Sequence, residues 1–193
     1  MRAAETLFEN RRFHEITLDE VAAVARVGKG TIYRYFADKD DLFFRTATSG
    51  FDELCERLET GVPEDSTFED RLLAACTQVT DFFAERRRLF RLMDAEQGRA
   101  DHPDKPQLGE LWQAKRQRMV AAVAAILEHG RECGRIREHP PPEIMATYLL
   151  GMLRTRTRDL AHAPAEHRGL ELLIDLFVGG AASSTASPPP RNQ

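Results

Sequence analysis

The 193-residue sequence predicts an all-α protein in two parts, a small N-terminal three-helix unit and a larger C-terminal set of helices. Apolar residues recur at three- and four-residue steps along nearly the whole chain, which lines one face of an α-helix. Several of these segments open on Ser, Thr or Asp, whose short side chains accept from the unpaired amides of a first helical turn. Gly and Pro punctuate the segments at Gly61-Val62-Pro63, Gly134, Pro140-Pro141-Pro142 and Pro164, residues that end helices or start them.

The first helix is expected over about Arg2–Asn10, with Ala3, Ala4, Leu7 and Phe8 apolar. Phe13 and Ile16 in the following loop cover a small core. Thr17 and Glu20 form a capping box, in which the Thr17 hydroxyl accepts from the amide of Glu20 and the carboxylate reaches back. Leu18, Val21, Ala22 and Ala25 make one face of the next short helix apolar, and Arg26-Val27-Gly28 forms a turn. Lys29 to Tyr35 is a second short helix, with Ile32 inward and Lys29, Thr31, Tyr33 and Arg34 outside. The small Ala22 lets the two helices cross closely. This is a helix-turn-helix pattern, whose second helix is presented to a DNA major groove.

Asp38 is the expected N-cap of a helix running from Lys39 through Leu42, Phe43, Ala47, Phe51, Leu54 and Leu58 to the Gly61-Val62-Pro63 stop. Ser66 with Glu69 reads as a second capping box, opening a helix through Leu72, Leu73, Cys76, Val79 and Phe83. Arg86-Arg87-Arg88 crosses to a short helix holding Leu89, Phe90, Leu92 and Met93. A loop over 99–109 precedes a long helix from Leu111 to about Glu132, closed by Gly134. Another helix begins near Glu143. Its segment Tyr148 to Leu153 is apolar almost all round, which implies burial on more than one side. Pro164 opens a last helix, with Leu170, Leu173, Ile174 and Phe177 on one face and Leu172 and Leu176 widening it. The polar, Pro-rich 183–193 reads as a disordered tail.

The run V-x-K-G-T-I-Y-x-Y-F-x-x-K-x-x-L, here Val27 to Leu42, resembles the signature of TetR-type (TetR/AcrR-like) transcriptional regulators in order and spacing. Because the match continues through the turn into the next helix, it is far more specific than a lone helix-turn-helix. The close resemblance covers residues 1–45, beyond which only the helical layout is family-like. It implies a DNA-binding domain over 1–45 and an effector-binding and dimerisation domain over 46–182, followed by the tail at 183–193. It also implies a repressor that occupies a palindromic operator as a homodimer and is released by a small-molecule effector. Three departures from the pattern stand out. Arg26 replaces the usual Gly of the turn, at roughly 1 kcal/mol if that position is left-handed. Gly28 replaces a Ser or Thr cap. The chain begins at Met1 inside the first helix, where family members usually carry several more, often basic, residues, so an arm touching the DNA backbone is expected to be missing.

Lys29, Thr31 and Arg34 are the candidates for base contact. Arg34 sits where the family varies, and its guanidinium can take two acceptors of a guanine. Gly30 lets the backbone approach the groove closely. Thr17, Tyr33, Tyr35 and Lys39 match family positions that hydrogen-bond phosphates. Each has a structural alternative, since Thr17 serves as a cap and Tyr35 falls on the inward side of its helix.

In the body, Phe83, Phe90, Met93, Trp112, Met119, Tyr148 and Met152, with Phe82, are either packed core or the wall of an effector pocket. Gln97, Gln113, Gln117 and Arg156 lie near the same faces and could orient a ligand. The last two helices carry more apolar surface than a monomer needs. Paired with a symmetry mate they would form a four-helix bundle, with Tyr148, Met152, Leu173 and Phe177 at the interface.

A formal charge of −4 and a pI near 5.9 argue against bulk non-specific nucleic-acid binding. The charge is uneven, however. Arg26, Lys29, Arg34 and Lys39 face only Asp38 across residues 26–39, whereas residues 52–70 carry eight acids against Arg57. No membrane span or signal peptide is read. The widely spaced Cys55, Cys76 and Cys133 fit free thiols in a reducing cytoplasm. His129 and Cys133, four apart, and His102 beside Asp101 and Asp104 lack the further ligands of a metal site. No phosphate-binding Gly loop or nucleophile elbow occurs, so neither enzyme nor cofactor is expected. Two other readings stay open: a non-allosteric DNA-binding protein with a filled core, and a helical ligand-carrying protein whose helix-turn-helix is vestigial.

Overall fold

A computed structural model describes residues 1–60, 66–90 and 106–181, and every regular element among them is helical. In order these are α1 (Arg2–Asn10), a 3-10 turn (Phe13–Glu15), α2 (Leu18–Ala25), α3 (Lys29–Tyr35), α4 (Lys39–Ala47), α5 (Phe51–Thr60), α6 (Phe68–Glu85), α7 (Pro106–Glu132), α8 (Pro142–Arg158), a 3-10 turn (Ala165–His167) and α9 (Leu170–Ala181). Residues 87–90 are also helical. The expected Gly61-Val62-Pro63 stop, Leu92, Met93, Gln97, the Asp101-His102-Asp104 group and the tail at 183–193 lie outside the described residues.

The chain divides into two compact units, Met1–Asp52 with Phe83–Lys115, and Glu53–Phe82 with the chain from Arg116 on. In the first unit α1 packs on α2 and α4, and α2 on α3. Ala4, Phe8, Ile16, Leu18, Val21, Ala22, Ile32, Leu42, Phe43 and Ala47 form one buried cluster. Aromatic edges lock it, with Phe8 and Phe13 meeting Phe43 at ring separations of 5.0 and 5.1 Å. Phe8 and Phe43 are buried, and full burial of such a side chain contributes roughly 1.5–3 kcal/mol. Ala25 is exposed, because the α2 face turns away from the core by its last turn.

The helix expected from Lys39 to Leu58 is two helices. Gly50 adopts φ 76°, a left-handed conformation that ends the right-handed run, and Phe51 restarts it. The apolar spacing runs straight across this break. In the second unit the cap of α6 lies one residue later than the Ser66–Glu69 pattern suggests. The Thr67 hydroxyl accepts from the Asp70 amide at 3.2 Å and donates to its carboxylate at 2.6 Å. Glu69 instead receives Arg135 Nε at 2.7 Å.

α7 starts at Pro106, so Gly109, expected in a loop, is helical. The ring of Phe68 lies where a side chain at Gly130 would stand, which requires Gly there. Gly134, at φ 70°, closes the helix as expected. Arg118 grips Glu59 with two hydrogen bonds of 3.1 Å. Pro164 opens only the 3-10 turn, and the last helix begins at Leu170.

α8 packs against α9. Met145, Ala146, Leu149 and Leu153 are buried on α8, and Leu173 and Phe177 on α9. Leu173 and Phe177, expected at a dimer interface, are therefore used inside the subunit. Tyr148 is 67% exposed and Leu176 62% exposed, with Ile144 and Leu172 beside them in sequence register, so the outward apolar stripe lies one position away from Leu173. Within one chain the 148–153 segment buries Leu149 and Leu153, while Tyr148 and Gly151 are exposed.

Candidate nucleic-acid interface

The α2–α3 unit is built from backbone caps upward. Thr17 accepts from the Glu20 amide at 3.2 Å, and Glu20 takes the Thr17 amide at 2.9 Å, completing the capping box. Arg11 adds a hydrogen bond from α1's end to Glu20 at 2.8 Å. That guanidinium, followed by the Thr17 amide and hydroxyl, holds the Glu20 carboxyl below the usual glutamate range. α2 ends at Arg26 in the left-handed region, φ 55° and ψ 42°. Amides of Arg26 and Val27 bond the carbonyls of Ala23 and Ala22 at 3.1 and 3.0 Å, a Schellman pair that offsets the roughly 1 kcal/mol of strain at a non-Gly residue. Gly28 then caps α3 without a side chain.

α3 has seven residues and buries only Ile32. Tyr33 is 56% and Tyr35 60% exposed, which removes the inward alternative for Tyr35. A Cβ built on Gly30 would meet nothing within 4 Å, so the chain's own packing does not require Gly there and the space above it faces outward. Arg34 stacks over the Tyr35 ring at 5.0 Å and reaches its hydroxyl at 3.4 Å. Lys39 donates to the Phe13 carbonyl at 2.9 Å and sits 4.5 Å from that ring, so its ammonium is anchored near the first turn of α4. Asp38 caps that helix through the Asp41 amide at 2.9 Å, as expected.

Two residues of this surface were not picked out by the sequence reading. Arg11 braces the capping box, and Asp19 binds Lys29 at 2.6 Å. The Asp19 carboxylate, by hydrogen bond and charge, raises the Lys29 ammonium above the ordinary lysine range. An acid in the first turn of one helix and a base at the start of the next, joined by a tight turn, is the signal that would have found the pair.

The residues named for an effector pocket divide between the units. Phe83, Phe90 and Trp112 contact one another in the first, at 4.6 and 6.1 Å, with Trp112 also 6.1 Å from Phe51. In the second, Met119 is buried, Met152 half-buried and Tyr148 exposed, while Met93 lies outside the described residues. Phe82 is buried, Gln113 and Gln117 are exposed, and Arg156 donates to the Arg168 carbonyl at 2.7 Å. A polar cleft of about 510 Å³ in the second unit is lined by Glu128, Arg131, Glu132 and Glu138, none of them a predicted pocket residue.

Cys133 lies 3.7 Å from His129, which is 3.9 Å from Glu132, yet among the described residues no group of three His, Cys, Asp or Glu is placed to hold a metal. Burial pushes the Cys76 thiol up to about 12, so it stays protonated at neutral pH. Among the described residues no helix is long and apolar enough to cross a membrane.

A family model described as bacterial regulatory proteins, tetR family, matches residues 1–46. The HTH-type transcriptional regulator EthR of Mycobacterium tuberculosis is 24% identical over 185 residues, covering 92% of this chain and 83% of EthR. A structure from Mesorhizobium loti, classed with TetR-family regulators, aligns with TM-score 0.69 and 25% identity over 93% of this chain and 91% of that one. The transcriptional regulator FadR of Bacillus subtilis, solved with stearoyl-CoA, aligns with TM-score 0.68 and 18% identity over 92% and 93% of the two chains, a likeness of fold. The N-terminal helix-turn-helix, matched by the tetR-family model over residues 1–46, and the all-α fold agree with these relatives and support a TetR-type transcriptional regulator.

Proposed function

We propose that this regulator binds double-stranded operator DNA through α3, as a homodimer, and that a small molecule releases it. The observation carrying the DNA reading is α3 itself: one buried side chain, Ile32, beneath an outer surface of Lys29, Gly30, Tyr33, Arg34 and Tyr35. On this reading Lys29, Thr31 and Arg34 face bases, while Thr17, Tyr33, Tyr35 and Lys39 position the phosphates. Residues 1–45 serve DNA and 46–182 the effector and the second subunit. The protein acts in the cytoplasm and carries out no catalysis. Two copies are needed because one helix-turn-helix reads too short a site for a specific operator. The outward stripe of Ile144, Tyr148, Leu172 and Leu176 is the apolar face that a symmetry mate would cover.

Repression follows if the effector binds the DNA-free arrangement better than the DNA-bound one, since only differential affinity shifts the equilibrium. FadR's ligand makes long acyl thioesters a rational first class to screen. The ring-to-ring contacts of Phe51, Trp112, Phe90 and Phe83 favour the alternative of a filled, unresponsive core in the first unit.

Selection of binding sites from random duplex DNA, followed by anisotropy titrations over a range of salt, tests the reading. A palindromic site bound with a steep salt slope and released by a compound that also raises the melting temperature supports it. Selection of no sequence at all would remove the operator reading. A selected site that no compound releases would favour the non-allosteric alternative.

A further inference from the structure

We propose that Asp19 is a specificity-positioning residue that turns Lys29 from a phosphate contact into a base reader. The inference rests on the proposed role of α3 and adds how one of its donors is aimed. Lys29 opens α3 and Asp19 lies in the first turn of α2, ten residues earlier, with Nζ and Oδ2 2.6 Å apart. Lysine carries its charge on a long flexible stem, and a free one at a groove edge finds the nearest phosphate. Here the stem is tethered, although 70% of the Lys29 side chain remains exposed.

The other carboxylate oxygen, Oδ1, is shut off from solvent and accepts no hydrogen bond among the described residues. If Lys29 left, Asp19 would keep one oxygen dry and unpaired and the other without its cation, so the tether resists being traded for a phosphate.

Pairing changes what Lys29 offers to DNA. Attraction to phosphates is long-ranged and follows net charge, and an ammonium beside a carboxylate presents almost none at a distance. Donation to a base acceptor is short-ranged and survives: one N–H faces Asp19 and two remain for groups such as guanine O6 and N7 or thymine O4. The carboxylate also places negative charge beside the groove and penalises a register that brings a phosphate to this point. Among the described residues Arg34 meets the Tyr35 hydroxyl and ring and Lys39 the Phe13 carbonyl and ring, contacts that bring neither a neutralising carboxylate.

The test compares full-length wild type, Asp19→Ala, Asp19→Asn, Lys29→Ala and the Asp19→Ala/Lys29→Ala double variant, using random-DNA selection and anisotropy on duplexes over a range of salt. Asp19→Ala should keep binding DNA but lose preference at one base-pair step per half-site by about fivefold or more. Its log–log salt slope should steepen by about 0.9 per half-site as the freed ammonium takes a phosphate. Lys29→Ala should lose the same preference without the steeper slope, and the double variant should match it. Asp19→Asn keeps the side-chain shape, so a steeper slope there separates charge from folding defects. An unchanged profile and slope in both Asp19 variants, with the wild type selecting a site, overturns this proposal while leaving the operator reading standing. A wild type that selects no site overturns the operator reading itself, and the proposal with it.

Discussion

Residues 17–42 and the α8–α9 pair are both short helical assemblies, but different forces specify them. In the first, polar side chains determine the backbone: Thr17 and Glu20 start α2, Asp38 starts α4, and Arg11 and Lys29 fasten the helices to their neighbours. Only Ile32 of α3 is buried, so most of its surface is free to be chemically distinctive. In the second, apolar packing does nearly all the work. α8 and α9 carry apolar residues on more than one side, and the subunit uses only some of them. A segment held by polar geometry has a recognisable sequence because few residue types can replace Thr17 or Asp38. A segment held by apolar packing tolerates many sequences and advertises little about its task.

The largest effect should come from separating the two apolar faces of α9. Leu173→Glu places a charge where the leucine is 7% exposed and should cost about 3–5 kcal/mol in urea unfolding of the subunit. Leu176→Glu alters a 62% exposed position and should leave subunit stability within about 0.5 kcal/mol. Sedimentation should nevertheless show it to be monomeric, with weakened operator binding. A dimer that survives Leu176→Glu would move the interface off this stripe.

Next in size are the DNA contacts of the first region. Arg34→Ala should lose about 1–3 kcal/mol of discrimination at one base pair per half-site. Lys39→Ala should weaken all duplexes alike and make the salt slope shallower by about 0.9 per half-site. Identical selection profiles for wild type and Arg34→Ala would take Arg34 out of the base-reading set.

The same contrast explains what the sequence made legible. The bounds of α2 and the start of α3 could be read because a capping box and a turn mark them in local chemistry. The break at Gly50 could not, because Leu42, Phe43, Ala47, Phe51, Leu54 and Leu58 keep helical spacing across it and a single Gly is weak evidence of a positive φ. Adjacent candidates for the α6 cap, Ser66 with Glu69 and Thr67 with Asp70, satisfy the same pattern. Only the Arg135 contact to Glu69 in the folded unit separates their roles. Leu173 and Leu176 are identical residues, and hydropathy has no means of telling the face that meets α8 from the one that faces outward. The Asp19–Lys29 pair depends on the turn geometry that brings the two helix starts together.

Helix caps allow a smaller comparison. Thr17→Ala removes a hydroxyl on which Glu20, and through it Arg11, depends, and should cost about 1–2 kcal/mol. Thr67→Ala removes a cap whose Asp70 partner bonds only locally in the contacts seen, and should cost about 0.5–1 kcal/mol. Equal losses in urea unfolding would mean that the Arg11–Glu20 contact adds nothing to the box.

The smallest effect should appear in acid. Glu20 and Glu59 are both held below their ordinary value of 4.5, chiefly by hydrogen bonds from Arg11 and Arg118 respectively. A carboxyl with a lowered folded pKa binds fewer protons folded than unfolded within that window, so stability rises with pH there. Its contribution is complete above 4.5 and is lost as pH falls through the depressed folded value. Both carboxylates are at the surface, so each contribution is modest and weakens with salt. Their consequences should differ by region. Protonating Glu20 loosens the α2 cap as well as the Arg11 tie, so unfolding of the helix-turn-helix should respond most, and Glu20→Gln should flatten that response. Protonating Glu59 releases only the Arg118 fork, so Glu59→Gln should flatten the acid slope without altering amide-exchange protection in α2. An α2 whose protection is equally pH-dependent in wild type and Glu20→Gln would show that the capping box holds without its charge.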